Sequence, residues 1–145
     1  MRVAVLNGPN LNLLGTREPE VYGRTTLAEL ERLVRAEAQR LGVTLSWMQT
    51  NHEGVFVDAV QGLKGQTDGA LVNAAAFTHT SLAIRDAFLA VKVPFVEVHL
   101  SNIFAREAER RHSRLADLAV GIVAGFGPSG YVLGLQALVA KLGGG

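Results

Sequence analysis

Glu97 and His99 stand two apart in the stretch "VEVH". In a strand that spacing sends both side chains from one face, where a carboxylate could hold an imidazole in a single tautomer and raise its basicity. A partly buried ion pair at a strand end accounts for the same spacing. A second set of candidates lies in "LNGPNLNLLGTREPEVYG", Leu6 to Gly23, which offers no cysteine, lysine or Gly-x-Ser-x-Gly elbow as a nucleophile. Its titratable members are Arg17, Glu18, Glu20 and Tyr22. A tyrosine acts as a general base when a nearby cation favours the phenolate, bringing its pKa down from about 10, and Arg17 is a candidate for that cation. A tyrosinate, an imidazole held by Glu97 and a ring of amides would suit proton removal beside a carbonyl, then loss of a leaving group that the imidazole protonates. Lyase or isomerase chemistry is thus reasonable, although an exposed loop tyrosine is more often packing.

Further polar residues gather where apolar runs end. Asn7 and Asn10 follow the first run, Asn51, His52 and Glu53 the second, Asn73, Thr78 and His79 the third, and Ser101 and Asn102 the fourth. Thr78, Thr80 or Ser81 could equally cap a helix. Glu97, His99 and His79 could converge on a metal, but the close-spaced His-x-x-x-His signature is absent. The segment Ser101 to Asp117 carries four of the eleven arginines, Arg106, Arg110, Arg111 and Arg114. It is either a solvated charged face or the source of one inward fork for a substrate carboxylate. "GFGPSG", Gly125 to Gly130, fits Gly-x-Gly-x-x-Gly, but the second strand and acidic residue of a dinucleotide fingerprint do not follow within the chain. Its glycines are expected to serve a tight strand-to-helix turn, with Pro128 and Ser129 starting the helix.

The elements that must position these groups are short apolar runs alternating with segments of helical period. Strands are expected over Arg2 to Asn7, Val43 to Thr50, Gly69 to Ala74, Pro94 to Leu100 and Leu118 to Gly125, mostly apolar without alternation, as in strands covered on both faces. A helix is expected from about Thr26 to Leu41, with a Thr26-x-x-Glu29 capping box and Gly42 past its end. Others are expected over 54–65, 81–93 and 129–142. Strands alternating with helices imply right-handed crossovers, so the expected fold class is α/β: a flavodoxin-like, doubly wound five-stranded parallel sheet in a three-layer sandwich. One domain, 1–145, is expected. In such sheets ligands bind beyond the carboxyl ends of the strands, where the polar residues fall. The long first loop is then a functional segment, a lid hinged near Gly15 and Gly23.

Composition narrows the classes. The 145 residues are 48% hydrophobic and 19% charged with net charge +1, which argues against nucleic acid or an anionic membrane as the main partner. With no cysteine, disulfides, thiolate nucleophiles and cysteine-ligated metals are excluded. The opening "RVAVLN" reads as a strand and no segment approaches eighteen apolar residues, so a cytoplasmic protein is expected. A flavodoxin-like module holding a nucleotide or flavin is the competing reading.

The motif "NGPNLNLLGTREPEVYG" closely resembles the opening of the type II 3-dehydroquinate dehydratases, and "QTNHEG", "THTSLAIRDA", "EVHLSN" and "AREAERRHS" resemble that family's other motifs in order and spacing. The resemblance implies a cofactor-independent enzyme that removes water from 3-dehydroquinate to give 3-dehydroshikimate through an enolate, in the shikimate pathway. It implies Tyr22 as the base for the C2 proton, Arg17 as its activating cation, Asn10 beside the enolate, and His99, oriented by Glu97, as the acid for the departing hydroxyl. Asn73, His79, Leu100, Ser101 and Arg110 match substrate-binding positions. Asp86 matches the residue that reaches a neighbouring subunit's site, in keeping with a dodecamer of trimers. No metal is implied. Ala75 replaces a more usual glycine and Phe104 a histidine or tyrosine. A Schiff-base route lacks a placed lysine, since Lys64, Lys92 and Lys141 all fall in or at the ends of expected helices.

Overall fold

Near-continuous apolar runs become strands, the three central ones buried on both faces and the two edge strands half-buried or exposed. The computed structural model describes residues 1–16 and 18–144, with Val21 and Tyr22 described by backbone alone. Five strands, β1 (Arg2–Asn7), β2 (Thr44–Gln49), β3 (Gly69–Asn73), β4 (Phe95–His99) and β5 (Gly121–Ala124), form one all-parallel sheet in the order β2-β1-β3-β4-β5. Four helices longer than a single turn, α1 (Leu27–Leu41), α2 (Glu53–Gln61), α3 (Leu82–Val91) and α4 (Ser129–Leu142), complete a flavodoxin-like fold among the described residues. Alternate strand residues feed two cores. Val3, Val5, Leu71, Val96 and Val98 pack with Leu30 and Val34 of α1 and Leu135 and Leu138 of α4. Ala4, Leu6, Ala70, Val72 and Phe95 pack with Phe56 and Val60 of α2 and Ile84 and Phe88 of α3. The three layers follow from that alternation.

Local chemistry sets most boundaries. The Thr26 hydroxyl accepts from the Glu29 amide at 3.1 Å, and Gly42 closes α1 in the left-handed region at φ 71°. Three expected elements are shorter than the apolar pattern suggests. The second helix stops at Gln61, since Gly62 caps it and Leu63 turns away into the core. The third spans Leu82–Val91 because Ser81 caps its start, while Lys92 leaves it at φ 57° ahead of Pro94. The fifth strand begins at Gly121 and not Leu118, because the Leu118 and Ala119 amides turn back to the Leu115 carbonyl.

The first loop has structure of its own. A 3-10 turn, Leu11–Leu13, drops Leu11 and Leu14 into the core, and a single helical turn covers Pro19–Tyr22. Gly8 passes so close to the next strand's loop that a Cβ there would lie 2.2 Å from the Ala74 carbonyl oxygen. Only glycine fits. No helix among the described residues is long and apolar enough to cross a membrane.

Candidate active site

Strand order reverses between β1 and β3, and the site opens there. The two strand ends are tied together by Gly8 N–H donating to the Asn73 carbonyl at 2.8 Å. A cleft of about 690 Å³, its mouth included, is lined among others by Asn10, Asn73, His79, His99, Ser101 and Arg110. Leu100, Ala75 and Arg106 also line it.

The carboxylate and imidazole of "VEVH" meet as their spacing requires. Glu97 is fully buried and His99 is 4% exposed. His99 Nε2 donates to Glu97 Oε2 at 2.5 Å, which leaves Nδ1 as the ring nitrogen available to the cleft. Such a charge-assisted bond fixes both the tautomer and the ring plane. The second carboxylate oxygen accepts from the Ser113 hydroxyl at 2.9 Å.

His79 is held differently. Its Nδ1 donates to the His112 carbonyl at 2.7 Å, while His112 Nε2 donates to the His79 carbonyl at 2.9 Å. Burial holds His79 below the usual imidazole pKa of 6.5, and its bond to His112 opposes that only in part. This reciprocal clasp, with Arg114 N–H donating to the Thr78 carbonyl at 2.8 Å, straps the arginine-rich segment against the one-turn helix Phe77–Thr80 that follows β3. The segment is not one helix: it has two 3-10 turns, Ile103–Ala105 and Ala108–Arg110, joined by irregular backbone. The strap brings Arg106 and Arg110 to the cleft, whereas Arg111 Nε turns to the Arg106 carbonyl. Arg110 Nε donates to Glu107 Oε1 at 2.5 Å.

Beneath the cleft floor lies a buried amide–phenol chain. The Tyr131 hydroxyl donates to Asn7 Oδ1 at 2.7 Å and accepts from Asn73 Nδ2 at 2.9 Å, and Asn73 Oδ1 accepts from Ala75 N–H at 3.1 Å. These bonds dictate which way the Asn73 amide faces. Burial pushes the Tyr131 phenol well above its ordinary pKa of 10, so it stays a neutral donor and acceptor. Asn10, in the left-handed region at φ 68°, is anchored by its backbone N–H donating to Asn51 Oδ1 at 2.9 Å. Ala75 also sits at positive φ, 51°, the conformation that the more usual glycine adopts freely.

The structure therefore gathers Asn10, Asn73, His79, His99, Leu100, Ser101 and Arg110 around one cleft, with Glu97 behind His99. It does not bring Asp86 there; that residue lies exposed on α3, beside the exposed Leu82 and Leu89. Arg17 and the Tyr22 side chain lie outside the described residues. His52, exposed at the start of α2, is not part of the cleft either. Sequence reasoning missed Tyr131, Ser113 and His112, whose partners are 58 and 124, 16 and 33 residues away respectively. None of Lys64, Lys92 and Lys141 lines the cleft. "GFGPSG" makes the strand-to-helix turn, Gly125 and Gly127 at φ 96° and 60° with their amides on the His99 and Leu100 carbonyls. Among the described residues no group of three or more His, Cys, Asp or Glu could hold a metal.

A flavodoxin-like sheet whose strand ends present an imidazole backed by a buried carboxylate defines an acid–base enzyme of the α/β class. Its lineage is equally clear. Residues 1–139 match the family described as dehydroquinase class II. The chain is 56% identical over 142 residues to the 3-dehydroquinate dehydratase of Gemmatimonas aurantiaca, covering 98% of this chain and 93% of that one. The crystal structure of type II dehydroquinase from Propionibacterium acnes superposes with a TM-score of 0.91 at 37% identity, covering 96% of both chains. That from Butyrivibrio crossotus gives 0.93 at 36% identity, covering 95% of this chain and 97% of the other. The chain belongs to the class II dehydroquinase family.

Proposed function

We infer that the chain is a hydro-lyase that converts 3-dehydroquinate to 3-dehydroshikimate and water, a step of the shikimate pathway. The observation that carries the reading at this site is the buried Glu97–His99 pair at the end of β4, facing a cleft with amide and guanidinium donors. In our proposal the Tyr22 phenolate, favoured by Arg17, removes the C2 proton. The resulting enolate is stabilised by donors around Asn10, through a water. His99 then protonates the departing hydroxyl, its ring held in place by the bond to the Glu97 carboxylate. Asn73, His79, Ser101, Arg110 and the backbone at Leu100 bind the substrate's hydroxyl and carboxylate groups.

The remaining elements of the proposal concern motion and assembly. Residues 10–14 are pinned by Leu11 and Leu14, so a lid would comprise the segment from Gly15 to Gly23. Both glycines have positive φ, 89° and 79°, which suits hinges. We assign Asp86 to a neighbouring subunit's site, in a dodecamer of trimers, because its exposed apolar neighbours on α3 suit an interface. We further propose that residues 1–145 act as one domain, in the cytoplasm, without a cofactor.

The test is Tyr22→Phe assayed on 3-dehydroquinate by the rise of conjugated-enone absorbance, with chelator present. Loss of a general base is expected to lower kcat by about 10²–10⁴-fold with the fold retained. A variant of near-normal rate would sink the assignment.

A further inference from the structure

The Ser113 hydroxyl oxygen accepts two backbone hydrogen bonds, from Leu115 N–H at 3.0 Å and Ala116 N–H at 3.1 Å. A hydroxyl has two acceptor lone pairs and one hydrogen, so with both lone pairs engaged its hydrogen is committed to Glu97 Oε1, 2.9 Å away. Glu97 is 0% exposed, and its carboxylate takes one donor on each oxygen, Ser113 on Oε1 and His99 on Oε2. The chain Ser113–Glu97–His99 is therefore directional, and it runs from a capped turn to the cleft.

We propose that Ser113 is a positioning residue for the dehydration, acting on His99 through Glu97; this rests on the role given above to Glu97 and His99. A buried carboxylate needs hydrogen-bond donors on its oxygens in place of water. Ser113 supplies the donor that His99 cannot, and it fixes the carboxylate plane so that Oε2 lies on the His99 Nε2–H. Without it, the carboxylate is free to rotate, and the imidazole loses the fixed acceptor that sets its orientation. Ser113 touches no reacting atom. Its effect appears in how well the acid is held.

Two readouts test this on the purified full chain. In proton NMR the Nε2–H of His99, bonded to a carboxylate at 2.5 Å, is expected as a strongly downfield resonance that disappears in His99→Asn. In Ser113→Ala that resonance should shift or broaden, with kcat down about 10- to 100-fold and KM within about threefold, the loss usual when a functional group loses its outer hydrogen-bond partner. Ser113→Thr, which keeps the hydroxyl, should restore both. A Ser113→Ala enzyme that loses thermal stability yet keeps resonance and kcat would reduce Ser113 to a turn cap and overturn the proposal. So would an equal defect in Ser113→Thr that folds with an unchanged Tm. The resonance is read without turnover, so it stands or falls separately from the assignment of the reaction.

Discussion

Tyr131→Phe is the most informative single perturbation of the cleft floor. Phenylalanine fills the same space against Trp47 and the surrounding core, so the change is confined to one hydroxyl. Its loss strips Asn7 Oδ1 and Asn73 Nδ2 of their partners in a region closed to water, Tyr131 and Asn7 being 0% and Asn73 3% exposed. Each orphaned buried polar group costs about 1–3 kcal/mol, so two at roughly 1.5 kcal/mol each give about 3 kcal/mol. For a chain of 145 residues that corresponds to a Tm lower by about 6–12 °C. Because Asn73 keeps only its bond to Ala75, its amide can also turn, and KM for 3-dehydroquinate should rise more than kcat falls. The assay is denaturant unfolding at fixed protein concentration, paired with steady-state kinetics. A double-mutant cycle with Asn73→Ala should return a coupling above about 0.5 kcal/mol. A stability loss below about 1 kcal/mol together with no coupling would refute the network, since it would mean that the two amides never depended on the phenol.

Two further outcomes follow from the same geometry. Because burial depresses the pKa of folded His79, the unfolded chain binds a proton that the folded one resists; the stability present above about pH 6.5 is lost as pH falls below that value. His79→Asn keeps an N–H for the His112 carbonyl but does not titrate, so its unfolding free energy should vary less between about pH 7.5 and pH 5 than the natural chain's; equal slopes would exclude His79 as the source. Gly8→Ala places a methyl 2.2 Å from the Ala74 carbonyl oxygen and must part β1 from the loop after β3. It should destabilise by about 1–3 kcal/mol and weaken substrate binding, and an unchanged Tm would show that the two loops separate without strain.

Much of this protein is legible without coordinates because its information is local. Short apolar runs alternating with segments of helical period, the Thr26–Glu29 box and the glycine at 42 suffice for the order of strands and helices, and parallel connectivity then leaves few topologies. Glu97 and His99 could be paired from sequence because a strand's side-chain period is fixed. Boundaries were less legible: Leu118 to Val120 are as apolar as a strand, and only the Leu115 carbonyl's competing bonds remove Leu118 and Ala119 from it. The folded chain alone decided which groups meet. Ser113 finds Glu97 across 16 residues, His112 clasps His79 across 33, and Tyr131 reaches Asn7 across 124. No residue type or spacing announces such pairs, because each is created by sheet order and helix packing. Residue chemistry therefore determined what the site could do, and tertiary packing determined which amide faces in, which imidazole nitrogen is left over, and which arginines turn toward the cleft.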